Sequence, residues 1–267
     1  LPGAIWLYNP AMVGAETQVS IVVPAFREAG NLKLLAERAF RALDDAGLSG
    51  EMIVVDDNSR DGSVELVESL AADYAVRIIV REHERGLSSA VLRGIEEAIG
   101  DVIVVMDADL QHPPESIPPL VRAVTHEGAD FALGSRYVAG GEMAEAFGAF
   151  RRLNSWVATM MARPLTPLRD PMSGFFAFRR SSLDGAAPMN PIGYKIGLEV
   201  YVKCRCRNPK EVPISFGARE VGESKLSLKE QLLYVRHLGR LYWFRFWWLI
   251  ITALILVAGL IVWLVTR

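Results

Sequence analysis

The sequence predicts an α/β fold in which a mainly parallel sheet carries helices on both faces, and three observations lead there. Short apolar, β-branched runs alternate with segments whose apolar residues recur at helical spacing. Strand and helix taking turns at this pace build parallel sheets, because each strand is followed by a crossover helix. Two acidic clusters, Asp56-Asp57-Asn58-Ser59-Arg60-Asp61 and Asp107-Ala108-Asp109, follow directly on two of the runs. That puts them at the carboxyl ends of strands, where such sheets collect their ligands.

Residues 19–23 are the first strand, and 28–43 form a helix with Leu32, Leu35, Ala39 and Leu43 on one face. Residues 52–55 are the next strand, 64–72 a helix, 76–80 a strand, 87–99 a helix and 102–106 a strand. Residues 113–126 and 131–134 continue the alternation. Beyond Gly134 the pattern loosens, and 138–150, rich in small residues with little period, reads as a mobile loop beside a site. Residues 151–163 are helical, 174–178 a strand, 193–206 mixed helix and 211–216 an edge strand.

The C-terminal part has a different character. From Phe246 to Thr266 no residue is charged, and at about 1.5 Å per residue the stretch is ~30 Å long, close to the thickness of a bilayer's hydrocarbon core. Trp243, Trp247 and Trp248 at one end and Trp263 at the other fit interfacial belts. Arg236, Arg240 and Arg245 precede the stretch and only Arg267 follows, which places the N-terminal bulk on the cytosolic side. Residues 227–248 read as a surface-lying amphipathic helix leading into a transmembrane helix. Residues 1–15 lack the basic start and apolar core of a secretory signal, so the catalytic part is expected in the cytosol, anchored by its tail.

The formal charge of −2, without a lysine-rich arm, argues against nucleic acid and leaves membrane and small anions as partners. Cys204 and Cys206 are too close to pair comfortably and lack the further ligands of a tetrahedral site, which fits a reducing compartment.

Asp107 and Asp109 project hard oxygen ligands toward one point, a pattern suited to Mg²⁺ or Mn²⁺ and to chemistry in which a nucleotide diphosphate leaves. Of the histidines only His112 adjoins this pair, and with Pro113 next to it a structural turn role is favoured over a ligand role. Ser173-Gly174 is expected to serve a close backbone approach. Gly86-Leu87-Ser88-Ser89 opens a helix, either offering amides to phosphate or acting as a plain N-cap.

The segments Pro24-Ala25-Phe26-Arg27-Glu28, Val55-Asp56-Asp57-Asn58-Ser59-Arg60-Asp61-Gly62-Ser63, Asp107-Ala108-Asp109-Leu110-Gln111-His112-Pro113, Gly134-Ser135-Arg136-Tyr137, Asp170-Pro171-Met172-Ser173-Gly174-Phe175-Phe176 and Gly222-Glu223-Ser224-Lys225-Leu226 follow one another along the chain. In this order they resemble the dolichyl-phosphate mannosyltransferases, inverting family 2 glycosyltransferases of the GT-A fold. The resemblance covers about residues 19–226. The single C-terminal span looks like the form of the enzyme that anchors itself without partner subunits. The expected division is an N-terminal extension over 1–18, a GT-A catalytic domain over 19–226, an interfacial amphipathic segment over 227–245 and a transmembrane helix over 246–266.

The resemblance implies transfer of mannose from GDP-mannose to dolichyl or another polyprenyl phosphate, with inversion and departure of GDP. It assigns Pro24, Phe26, Glu28, Val54 and Asp56 to the nucleotide, with Phe26 and Arg27 standing where the family usually has Tyr and Asn. Asp107, Ala108 and Asp109 adjoin the donor diphosphate, and Asp107, Asp109 and Gln111 match the metal positions. Arg136, Lys195, Arg219 and Lys225 match donor-phosphate positions, and Ser135, Arg136 and Arg152 the acceptor phosphate, the choice of Arg152 over Arg151 resting on spacing. Asp109, Arg136, Arg152 and Arg219 are the residues expected to carry catalysis. The membrane is expected to be the endoplasmic reticulum in a eukaryote and the plasma membrane in a prokaryote.

Other classes fit less well. A polyprenyl-phosphate glucosyltransferase using UDP-glucose shares most motifs but often carries two or more spans. A nicotinamide enzyme needs a Gly-x-Gly-x-x-Gly turn after the first strand, and residues 24–30 have none. A catalytically silent membrane scaffold would be free to lose the acidic and basic positions that are filled here.

Overall fold

The computed structural model describes residues 17–143, 149–190, 192–193, 195–217 and 228–266. Its main sheet has seven strands in the order β3-β2-β1-β4-β7-β5-β8. These are β1 (Val19–Ala25), β2 (Gly50–Asp56), β3 (Val76–Val80), β4 (Val102–Val105), β5 (Phe131–Ser135), β7 (Phe176–Arg179) and β8 (Pro209–Pro213). A two-stranded ribbon pairs β6 (Glu142–Met143) with β9 (Ser215–Phe216).

Neighbours β3, β2, β1 and β4 run parallel, as the alternation predicts. The helices α1 (Ala29–Asp45), α2 (Ser63–Leu70) and α3 (Leu87–Glu97) make the crossovers, and α4 (Ile117–Thr125) leads from β4 to β5. Strand β7 is antiparallel to both β4 and β5, while β8 is parallel to β5. Because β7 runs the other way, its beginning lies beside the carboxyl ends of β4 and β5. Side chains alternate across the pleat as a period of two demands. Ile21, Val23, Met52, Val54, Val104 and Ala177 enter one apolar layer with α1, α2 and α4, whereas Val22, Ile53, Val55, Ile103, Phe176 and Phe178 enter the other with α3.

The second layer also holds α6 (Ile196–Lys203), the end of α5 (Ala149–Ala162) and the start of α7 (Leu228–Thr266). Tyr234, Leu238 and Leu241 of α7 are buried there, and the hydroxyls of Tyr234 and Tyr242 donate to the carbonyls of Ala158 and Met161 on α5, at 2.8 and 2.7 Å. The edge strand expected over 211–216 is divided: β8 ends at Pro213, buried Ile214 turns the chain, and β9 leaves the main sheet for the ribbon with β6. Within the stretch read as a loop over 138–150, residues 142–143 form β6 and 149–150 begin α5, while 144–148 lie outside the described residues.

Among the described residues no single helix is long and apolar enough to cross a membrane, but Glu230–Leu249 and Ile251–Thr266, bent by 58° where they join, meet that test together. The transmembrane helix expected over 246–266 therefore includes that bend. The physical reason is a change of support: the first part of α7 is fixed by packing on α5 and α6, and beyond the bend the apolar side chains are exposed and nothing in the domain sets their direction. Cys204 and Cys206 are free thiols, and burial pushes the Cys204 thiol up to about 11.

Candidate active site

Strand β1 lies between β2 and β4, so crossovers leave it in both directions and a crevice opens beyond its carboxyl end. The first two strand ends are stitched to each other. Asp57 donates its amide to Ala25 O, and Arg27 and Ala29 donate theirs to Ser59 Oγ and Asp61 Oδ2 at 2.8 and 3.1 Å. Arg27, Asn58 and Arg60 take left-handed backbone conformations within these turns. Asp56 is buried, with its carboxylate accepting from the Ser59 amide at 2.8 Å and from the Ser59 hydroxyl. Burial raises its pKa, the Ser59 hydrogen bonds oppose the rise, and the Asp61 and Asp57 carboxylates add to it. Pro24 is the penultimate residue of β1, and Val54 is buried within β2. Phe26 follows β1 half-buried, and the Glu28 carboxylate accepts from Asn31 Nδ2 at 2.7 Å at the start of α1.

Past β4 the chain places Asp107 partly exposed, Ala108 and Asp109 buried, and Leu110 in a left-handed turn. The Gln111 amide donates to Asp109 Oδ1 at 3.2 Å, and Gln111 Nε2 donates to Gly217 O at 3.1 Å. Buried His112 packs against Phe175 and Phe216, with Nδ1 accepting from the Asp107 amide at 3.4 Å and lying 3.7 Å from Asp107 Oδ2. Burial lowers the imidazole pKa and keeps the ring neutral, a buttress behind the acidic pair. At Gly174 an added Cβ would stand 3.3 Å from Asp107 Oδ2, so glycine is what lets the start of β7 approach the carboxylate.

The opposite wall comes from β5, β7 and β8. Arg136 follows β5, and its Nε and Nη2 donate to the two oxygens of Asp170 at 2.8 and 2.7 Å, while its amide adds a third bond to Oδ2. Asp170 is fully buried, and Glu211 of β8 accepts the amides of Asp170 and Arg169 at 3.1 and 2.9 Å. The Arg136 guanidinium also stacks 5.0 Å from the Phe216 ring centroid. Although burial works against it, the Asp170 pairing raises the Arg136 pKa. Lys195, just before α6, donates from Nζ to Met172 O at 2.7 Å. Burial, helped by the charge of Arg136, brings its ammonium down to about 8.

The sequence-selected residues Phe26, Asp56, Asp107, Asp109, Gln111, Arg136 and Lys195 thus all sit at strand ends or on the segments facing them. Ser135, assigned to the acceptor phosphate, is fully buried, and its hydroxyl accepts from the Tyr137 amide at 3.3 Å. Arg152 falls on α5, and Arg219 and Lys225 lie outside the described residues. Sequence reasoning gave no role to Asp170 or Glu211. The signal for Asp170 was present, since it opens one of the motifs. Glu211, in an ordinary edge strand, had none. The Gly86 amide is taken by Asp57 Oδ2 at 2.8 Å, and Ser88 Oγ donates to Gly193 O at 2.7 Å, so this helix start is tied to protein groups. Among the described residues no group of three or more His, Cys, Asp or Glu is arranged to hold a metal ion.

The family model for glycosyl transferase family 2 matches residues 20–185. Dolichol-phosphate mannosyltransferase of Saccharomyces cerevisiae is 48% identical over 238 residues, 86% of this chain and 88% of that protein. The protein of the same name from Mycosarcoma maydis is 49% identical over 235 residues, 85% of this chain and 80% of that one. That of Pyrococcus furiosus is 47% identical over 228 residues, 84% of this chain, and the chain spans 63% of its length. Among solved structures, Mycobacterium tuberculosis glucosyl-3-phosphoglycerate synthase in complex with Mn²⁺, UDP and glucosyl-3-phosphoglycerate has a TM-score of 0.62 at 21% identity, covering 86% of this chain and 80% of that chain. That likeness is one of fold.

Proposed function

The chain belongs to the family 2 glycosyltransferases and, within them, to the dolichol-phosphate mannosyltransferases, and from that premise we propose that it transfers mannose from GDP-mannose to the phosphate of a dolichol or another polyprenol, releasing GDP with inversion at the sugar carbon. The observation that carries the reading is the convergence, at the carboxyl edge of one sheet, of the Asp107–Asp109 pair with the Arg136–Asp170 clamp and Lys195. One side of the crevice is acidic and suited to a cation. The other is basic and suited to phosphate oxygens.

The donor set fits a divalent cation. Asp107 and Asp109 offer carboxylate oxygens, Gln111 has its carbonyl oxygen to offer while Nε2 is engaged with Gly217, and the hydrogen at Gly174 leaves space beside Asp107. Mg²⁺ or Mn²⁺ bound there supplies charge neutralisation for a leaving diphosphate. Arg136, fixed by the bidentate Asp170, presents a preorganised cation that need not be immobilised during reaction. Near pH 7 an attacking phosphate monoester is already anionic, so no general base is required. Catalysis rests on placement and charge stabilisation.

The exposed apolar run beyond the bend in α7 supports a membrane anchor, with Arg236, Arg240 and Arg245 before it supporting a cytosolic catalytic domain. The test is transfer of radiolabelled sugar from GDP-mannose or UDP-glucose to dolichyl phosphate, in detergent, with Mg²⁺, with Mn²⁺ and with chelator. Metal-dependent mannolipid from GDP-mannose is the expected result. Glucolipid from UDP-glucose would overturn it in favour of the sister activity.

A further inference from the structure

Two exposed cations share the aromatic ring that follows β1. The guanidinium carbon of Arg27 lies 5.3 Å from the Phe26 ring centroid, and that of Arg85 lies 5.9 Å from it. Arg27 is the next residue along the chain. Arg85 is not: it comes from the loop after β3 and crosses to β1.

That loop rests on a buried anchor. Arg81 Nε donates to Asp57 Oδ1 at 2.8 Å, Nη1 donates to Ser89 Oγ at 2.8 Å, and Nη2 donates to Gly86 O at 3.0 Å as well as to Asp57. The other Asp57 oxygen, Oδ2, holds the Gly86 amide at 2.8 Å. Gly86 has φ 126, a conformation L side chains rarely adopt, and its bonds to Arg81 and Asp57 hold the backbone directly after Arg85 in that turn. An exposed arginine on an anchored loop, above the ring beside Asp56, needs a ligand-side explanation. Surface solvation alone would not require so much buried polar structure beneath it.

We propose that Arg85 is a specificity-determining residue of the donor site, reading the O6/N7 edge of a guanine that lies against Phe26. The inference deepens the GDP-mannose reading and rests on it. A guanidinium carries donors only, in a rigid fork. Guanine presents two adjacent acceptors on that edge, adenine an acceptor beside a donor, and a uracil a lone carbonyl oxygen. The fork therefore favours guanine over both alternatives, and lysine, a single point charge, does not replace it.

The experiment measures the dissociation constants of GDP, UDP and ADP by calorimetry on the full chain in detergent with Mg²⁺, for wild type, R85A and R85K, with melting temperatures as the fold control. Wild type is expected to bind GDP more tightly than UDP or ADP. In both variants the GDP constant rises roughly ten- to hundredfold while UDP stays within about twofold, so the preference collapses. A GDP preference that survives R85A overturns the assignment and leaves the GDP-mannose reading standing. Equal weakening of GDP and UDP also overturns it, by moving Arg85 to the diphosphate. A wild type that binds UDP as tightly as GDP overturns the donor reading and this inference together.

Discussion

Asp170 shows how much a single carboxylate organises. It is fully buried and meets Arg136 through both side-chain oxygens. Asp170→Asn leaves that guanidinium without its counter-charge, and a loss of about 3 kcal/mol in urea unfolding is expected, together with a fall in transfer that Arg136 rigidity would otherwise sustain. Asp109→Ala is expected to abolish transfer with the melting temperature little changed, and retained turnover in that variant would sink the metal assignment. Lys195 gives a pH signature. With its ammonium at about 8 in the folded chain, kcat/KM should fall as pH rises through that value, because the free enzyme then loses a charge that phosphate meets. A bound anion holds the proton on, so kcat should break at higher pH. Stability moves the other way. Between about 8 and the ordinary 10.5 the unfolded chain keeps a proton the folded chain has released, so this group's contribution to stability rises with pH across that window. A kcat/KM that stays level through that range, in wild type and Lys195→Gln alike, would remove Lys195 from the donor site.

The parallel elements were legible because apolar period and acidic strand ends are local signals: β1 to β4 and α1 to α4 lie within a few residues of their expected bounds. The direction of β7 was not legible. Its buried pattern, read along 174–178, is the same whichever way the strand runs, and only pairing with β4 and β5 fixes the sense. The division of 211–216 between β8 and β9 was hidden for a related reason, since Ile214 continues the apolar run through the turn. At the candidate site, Asp107, Asp109 and Arg136, selected by motif, lie past strand ends, whereas Glu211 accepts from backbone amides and its partners could not be read from spacing. His112 was placed as a turn residue, and the structure adds what the turn supports. A packing test belongs at this scale. Gly94 of α3 lies so near β1 that a Cβ would come within 2.3 Å of Val22 Cγ1. Gly94→Ala is expected to cost about 1–3 kcal/mol of stability, visible as a lower melting temperature, because helix and strand cannot both keep their places.

At the scale of the whole molecule α7 has two jobs, one buried in the catalytic layer through Tyr234, Leu238 and Leu241 and one exposed beyond the bend. His237 is buried in the same contact, with Nε2 3.1 Å from Glu199 Oε2 of α6. A chain ending after Trp248 keeps that packing, so it is expected to retain GDP binding and to leave the membrane fraction on sedimentation. Continued pelleting with vesicles would place the anchor elsewhere. The strand order also dictates a sequence of assembly. Strands β1, β2 and β3 find their partners across single crossover helices, whereas β4 must reach back past β2 and β3 to β1, β7 to β4, and β8 to β5, across long intervening stretches. Loop-closure entropy delays such distant pairings. A nascent chain is therefore expected to join the ends of β1 and β2 before it can close the Arg136–Asp170 pair, so the crevice gains its second wall only with the last strands to emerge.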